Sequence, residues 1–188
     1  DVAMQRREFT HAADLLEQGL KLDGDRSAFL VKLGEARIEL NQIDAARTAL
    51  IEAISLKSNQ SMAHYNLGLV HEAREDWPAA VAAYEAEIAI SPNLYQPHFN
   101  LGRLLARGGR QADALNHFRA AVDKNPEFGT GFLYLAKALL DTEDFKGAEE
   151  AATRGLASKP DPAMVPLGHY VLADVFARQG READSVRH

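Results

Sequence analysis

Apolar side chains return every three or four residues along this chain, in stretches of about 14 residues, which is the period of an amphipathic helix. Polar turns divide the stretches into pairs: Leu40-Asn41-Gln42, Arg74-Glu75-Asp76, Arg107-Gly108-Gly109 and Thr142-Glu143-Asp144. The pattern predicts helices joined by tight turns. Pro78 follows Asp76-Trp77 at the start of a second helix, where a missing N–H costs nothing, whereas Pro92, Pro126 and Pro160 stop helices and turn the chain. No sustained alternation is present, and no Asn-Gly or Asp-Gly pair sits between β-branched runs, so strands are not expected. The fold class read from this pattern is all-α.

The pattern also repeats. Leu33-Gly34, Leu67-Gly68, Leu101-Gly102 and Leu135-Ala136 follow one another at steps of 34 residues, giving full units 27–60, 61–94, 95–128 and 129–162. The twentieth position of each unit holds Ala46, Ala80, Ala114 and Ala148, and the twenty-fourth holds Leu50, Tyr84, Phe118 and Ala152. The thirty-second holds Ser58, Pro92, Pro126 and Pro160. Residues 1–26 continue the frame backwards as a partial unit. Residues 166–188 continue it forwards if Ala163, Met164 and Val165 are a three-residue insertion, since Gly180-Arg181-Glu182-Ala183 parallels Gly109-Arg110-Gln111-Ala112. One helix pair cannot bury its apolar stripe alone, so the units must stack.

An aromatic near the unit start, then Leu101-Gly102, Ala114-x3-Phe118 and Pro126, repeated at this period, resembles the tetratricopeptide repeat (TPR) family over essentially the whole chain. The resemblance implies a right-handed α-solenoid of stacked helix-turn-helix units, with 1–188 as a single array. Ser58, Glu87 and Gly155 depart from the family pattern and are expected to weaken individual joints.

At about 100° per residue, unit positions 4, 7, 8 and 11 share one arc of each first helix, and positions 2, 5, 6, 9, 12 and 13 share the other. The first arc carries the repeated Leu-Gly and is the packing face. The resemblance implies that the second arc lines a concave groove that binds a peptide or protein segment. The groove residues so placed are Tyr65, Asn66 and Leu69, then Phe99, Asn100, Arg103 and Arg107, then Leu133, Tyr134 and Lys137. Two roles are open to Asn66 and Asn100: clamping the main chain of an extended ligand through paired donor and acceptor atoms, or making local bonds as consensus residues. Tyr65 and Phe99 would add apolar contact, and Arg103, Arg107 and Lys137 form a basic strip suited to a carboxylate. TPR domains that hold chaperone tails use a fixed Lys, Asn and Arg set. Here Val31, Glu35, Asn66, Gln96 and Asn100 match it only at the central Asn, so chaperone-tail binding is not expected.

Composition narrows the chemistry further. With 32 alanines and 23 leucines, helix formers dominate, and 46% hydrophobic with 26% charged residues fits a soluble chain without a bilayer-spanning run. A net charge of -6 argues against nucleic-acid binding, and the absence of cysteine removes disulfides and thiolate chemistry while leaving cytoplasm and periplasm both compatible. His64, His98 and His169 fall on the packing arc and read as structural, because zinc usually takes three or four gathered ligands. Asp141-Thr142-Glu143-Asp144 lacks the glycine and terminal glutamate of a calcium loop, and Gly129-Thr130-Gly131 follows no strand. Neither a catalytic constellation nor a cofactor or metal is expected.

In the repeat frame residue 1 falls at about the middle of a first helix and residue 188 inside a second. The expected chain is therefore a fragment of a larger protein. Pro160, Pro162 and Pro166 mark an irregular joint: either Asp161 caps a helix opening at Pro162, or the helix begins at Pro166 after a longer loop. The function expected is a non-catalytic interaction scaffold with a peptide in the groove. The alternative is a self-association module that forms a weak homo-oligomer through uncapped terminal helices.

Overall fold

Ten α-helices and one 3₁₀ turn occupy residues 2–22 and 24–181, the part of the chain described by this structure, a computed structural model. In order they are α1 (Val2–Gly19), α2 (Arg26–Glu39), α3 (Ile43–Leu56), α4 (Ala63–Ala73), α5 (Trp77–Ile90), α6 (Tyr95–Arg107), α7 (Gln111–Lys124), α8 (Gly129–Asp141), α9 (Phe145–Ala157), the 3₁₀ turn Pro162–Met164 and α10 (Val165–Arg178). The fold is an all-α helical repeat solenoid, and no strand occurs among the described residues. Its contacts gather into two compact units, Asp1–Pro92 and Asn93–His188. In the first, α2 pairs with α3 and α4 with α5, while α1 packs on α2 and α3 on α4. In the second, α6 pairs with α7 and α8 with α9, α7 packs on α8, and α10 lies against both α8 and α9. No helix among the described residues is long and apolar enough to cross a membrane.

The turn that closes each first helix is built the same way five times. Asn41, Glu75, Gly109, Glu143 and Gly180 all adopt positive φ, between 58° and 79°. The N–H of the next residue then reaches back five positions, as in Gln42→Arg37 (2.8 Å), Asp76→His71 (2.9 Å), Arg110→Leu105 (2.9 Å), Asp144→Leu139 (2.9 Å) and Arg181→Phe176 (2.8 Å). This is the Schellman closure, which satisfies carbonyls that the helix end leaves open. Gly180 falls at the same unit position as the other four when the three-residue insertion is counted. The third turn lies one residue later than expected, because Arg107 ends α6 and the left-handed residue is Gly109. A glutamate in this conformation crowds its own Cβ, so Glu75→Gly and Glu143→Gly should each raise stability by about 0.5–1 kcal/mol, read from urea midpoints. A fall in either midpoint would show that the left-handed backbone is unstrained there.

Glycine at the eighth unit position makes room for the large residue at the twenty-fourth. A Cβ on Gly34 would stand 2.6 Å from Leu50, one on Gly68 2.4 Å from the Tyr84 ring, and one on Gly102 2.8 Å from Phe118. The fourth unit differs: the two positions hold Ala136 and Ala152, both buried, and the close approach is at Gly155, where an added Cβ would stand 2.5 Å from Leu133 Cδ2. Gly155 therefore completes this joint and does not loosen it.

Helix starts are capped from two sources. Asp25, Asp76 and Asp144 accept the N–H of Ala28 (3.2 Å), Ala79 (3.3 Å) and Gly147 (3.0 Å) at the heads of α2, α5 and α9. Before α4 stands Met62, which has no capping oxygen and a φ of 69°. Its place is supplied by Glu87 of α5, wholly buried, whose carboxylate accepts the N–H of Met62 at 2.7 Å and of Tyr65 at 3.2 Å. The expectation that Glu87 weakens its joint is corrected: it is the cap of the preceding helix.

Two more expectations are revised. Val2–Gly19 is one continuous helix, whereas the repeat frame put residue 1 at about the middle of a first helix and so implied two helices in this partial unit. At the proline joint, Asp161 does cap a segment opening at Pro162, accepting the N–H of Ala163 at 2.9 Å, but that segment is a single 3₁₀ turn running directly into α10. Residues 182–188, expected to open another second helix, lie outside the described residues.

Candidate functional site

The second arc of α4 carries Tyr65, Asn66 and Leu69. The Tyr65 ring packs on Tyr84 at 5.8 Å between centroids, and the Tyr84 hydroxyl donates to Glu72 at 2.5 Å. Leu69 is half-buried. Asn66 is only 2% exposed, and its Nδ2 is buried without a hydrogen-bond partner.

In the second unit the arc residues of α6 and α8 meet. Phe99 stands edge-on to Tyr134 at 5.1 Å and to Phe128 at 4.8 Å, and Tyr134 also packs on Phe118 at 5.7 Å. Rings set edge to face in this way gain about 0.5–1.5 kcal/mol beyond their buried area. Arg103 lies over Phe99 with its guanidinium carbon 5.9 Å from the centroid, and its Nη1 donates to Asn100 at 3.1 Å. Asn100 is 6% exposed. Arg107, at the end of α6, is exposed, and Lys137 of α8 is paired with Asp141 one turn on.

Three expectations change on this geometry. Leu133 is not available to a ligand: it is 0% exposed, held between Gly155 and Gly168 of α10. Its arc is right for the isolated helix, but α10 covers it. Asn66 and Asn100 sit at the foot of the arc and not on its surface, and Asn100 makes the local bond that was one of its two open roles. The basic strip is also partly neutralised, since Asp141 shares the charge of Lys137. Phe128, which gathers Phe99 and Tyr95 (4.7 Å), was not singled out from the sequence; its aromatic character just ahead of Gly129 was the available signal.

The histidines of the packing arc have specific neighbours. His98 Nδ1 lies 3.2 Å from His117 Nδ1, so one ring donates and the other accepts between α6 and α7. His71 sits with Nδ1 3.7 Å from Asp76, and burial lowers its pKa from 6.5, helped by Arg47 and Arg74 and opposed by Asp76. A lowered histidine binds its proton less readily when folded, so its contribution is present above 6.5 and lost as pH falls through the folded value. The urea midpoint of the chain should fall from pH 7.5 to 5.5, and His71→Gln should flatten part of that slope. An unaltered slope in the variant would remove His71 from the account.

Comparison with known proteins agrees with this architecture. A family model described as tetratricopeptide repeat matches residues 1–54, 31–94, 99–164 and 133–186. The DnaJ homolog subfamily C member 3 of Rattus norvegicus is 32% identical over 102 residues, which is 53% of this chain and 19% of that protein. The chain thus spans about a fifth of the length of that curated relative. Among solved structures, PilF of Pseudomonas aeruginosa superposes with a TM-score of 0.83 at 14% identity, covering 98% of this chain and 82% of its own. YrrB superposes at 0.77 with 15% identity, covering 93% and 89%, and MamA at 0.68 with 20% identity, covering 80% and 88%. At these identities the structural likeness concerns the fold. The 34-residue frame, the recurrent turn and the family match along nearly all of its length together place this chain in the tetratricopeptide repeat family.

Proposed function

We propose that this chain is a non-catalytic scaffold that holds a peptide or protein segment of a partner against the exposed arc of α6 and α8, with Tyr65 and Leu69 of α4 a separate patch in the first unit. Membership of the repeat family indicates a protein-interaction scaffold, and the finer reading rests on one observation. The half-exposed rings of Phe99 and Tyr134 pack together, with Arg103 over Phe99, on an arc that also carries Arg107 and Lys137. Aromatic and arginine side chains together are the usual carriers of binding energy at an interface. YrrB is described as a TPR protein with an unusual peptide-binding site, which supports the reading by analogy. The fitting ligand is an extended segment with apolar side chains for the rings and carboxylates for the cations.

Peptides selected from a displayed random library on the whole chain should lose about tenfold or more in affinity to Phe99→Ala and to Arg103→Ala, measured by fluorescence anisotropy with helicity checked by circular dichroism. Selected peptides that bind both variants as well as the parent would defeat the proposal. The exposed Met4 (63%) and Leu15 (53%) on α1 favour self-association as a second reading, which a concentration-dependent mass in light scattering would support.

A further inference from the structure

His98 of α6 and His117 of α7 meet across one helix pair, with ring centroids 5.4 Å apart, planes at 36° and their Nδ1 atoms 3.2 Å apart. They stand at the fourth and twenty-third positions of the unit 95–128. In the other three full units the twenty-third position holds a buried alanine, Ala49, Ala83 or Ala151. A packed helix pair of this array therefore has no need of an imidazole at His117. Both rings are half-buried, so an ion in solution can reach them. Their helices are held together by contacts that no ion has to supply: Phe118 fills the space beside Gly102 and packs on Phe99 at 6.1 Å.

We propose that His98 and His117 form a two-imidazole site for a divalent transition-metal ion, with Zn²⁺ the best-fitting occupant and water in its remaining positions. Zinc bonds an imidazole nitrogen at about 2.0–2.1 Å, so two such ligands at the tetrahedral angle stand about 3.3–3.4 Å apart, close to the separation of the two Nδ1 atoms. The right angle of a square-planar ion brings them to about 2.8–3.0 Å, a tighter approach than these helices hold. The ion replaces the hydrogen bond between the rings. The ring that donates moves its proton from Nδ1 to Nε2 through solvent, and both then coordinate as neutral imidazoles. Turning the rings about χ2, a soft torsion, aims both lone pairs at one ion. No group of three or more His, Cys, Asp and Glu gathers among the described residues, so the ion is held by two protein ligands and exchanges readily. Magnesium and calcium, which take oxygen ligands, do not suit the pair. The net charge of -6 draws cations towards the chain.

Zn²⁺ titrated into the whole chain against a chromogenic indicator should bind, and Mg²⁺ should not. His98→Gln and His117→Gln should each weaken Zn²⁺ binding about tenfold or more, since one of two protein ligands is lost. His117→Ala, which restores the alanine of the other units, should weaken it as much while keeping the parent's helicity in circular dichroism. His64→Gln, a histidine at the same position of another unit, should bind as the parent does. Zn²⁺ should raise the urea midpoint of the parent and leave that of His117→Ala where it was. In long-range proton–nitrogen spectra the Nδ1 signals of both rings should move as Zn²⁺ is added. Parental affinity in either glutamine variant, imidazole signals unmoved at saturating Zn²⁺, or equal loss of binding in His64→Gln would overturn the inference.

Discussion

Glu87→Ala should cost this chain about 2–4 kcal/mol, the largest loss expected from removing one polar side chain here. The carboxylate is wholly buried and holds the N–H groups of Met62 and Tyr65, the start of a helix that has no capping side chain of its own. Losing a cap costs about 1–2 kcal/mol, and leaving buried donors unpaired beside a vacated volume adds to it. Glu87→Gln keeps one acceptor oxygen and should cost about 1–2 kcal/mol. Urea unfolding followed by circular dichroism reads both, and hydrogen exchange should quicken at the Met62 and Tyr65 amides. A loss below about 0.5 kcal/mol in Glu87→Ala would mean that water caps α4 equally well.

The second large effect is expected at Gly68. An added Cβ would stand 2.4 Å from the Tyr84 ring, itself wholly buried and tied through its hydroxyl to Glu72. The ring cannot turn away without losing that bond, so overpacking should cost about 1–3 kcal/mol. The better helix propensity of alanine returns about 1 kcal/mol, leaving Gly68→Ala destabilised by up to about 2 kcal/mol. Gly34→Ala should cost less, because Leu50 is aliphatic and can change rotamer. The decisive measurement is a double-mutant cycle with Tyr84→Leu, in which Gly68→Ala should become nearly neutral. Strict additivity would show that the glycine serves some purpose other than admitting the ring.

The same residues show how far the chain could be read before its tertiary structure. Pairing of Gly34, Gly68 and Gly102 with Leu50, Tyr84 and Phe118 is visible as a repeat of positions, because both partners lie within one helix pair. The polar turns between the helices are visible for the same reason, but the left-handed residue in each, a glutamate at 75 and 143, was given by the structure. Of the proposed binding residues, Tyr65, Leu69, Phe99, Arg103, Arg107, Tyr134 and Lys137 keep exposed or half-buried positions. Leu133, Asn66 and Asn100 do not, although their place on the helical wheel is equivalent or adjacent.

By itself, the sequence determined the helix pairs, their 34-residue period and the arc that packs within each pair, since all of these follow from short-range periodicity and turn geometry. Tertiary structure alone decided that α10 closes over Leu133, that Glu87 reaches across to cap α4, and that Phe128 gathers the aromatic side chains. Each of these depends on which later segment comes to rest on a given face, and a helical period reports only the direction in which a side chain leaves its own helix.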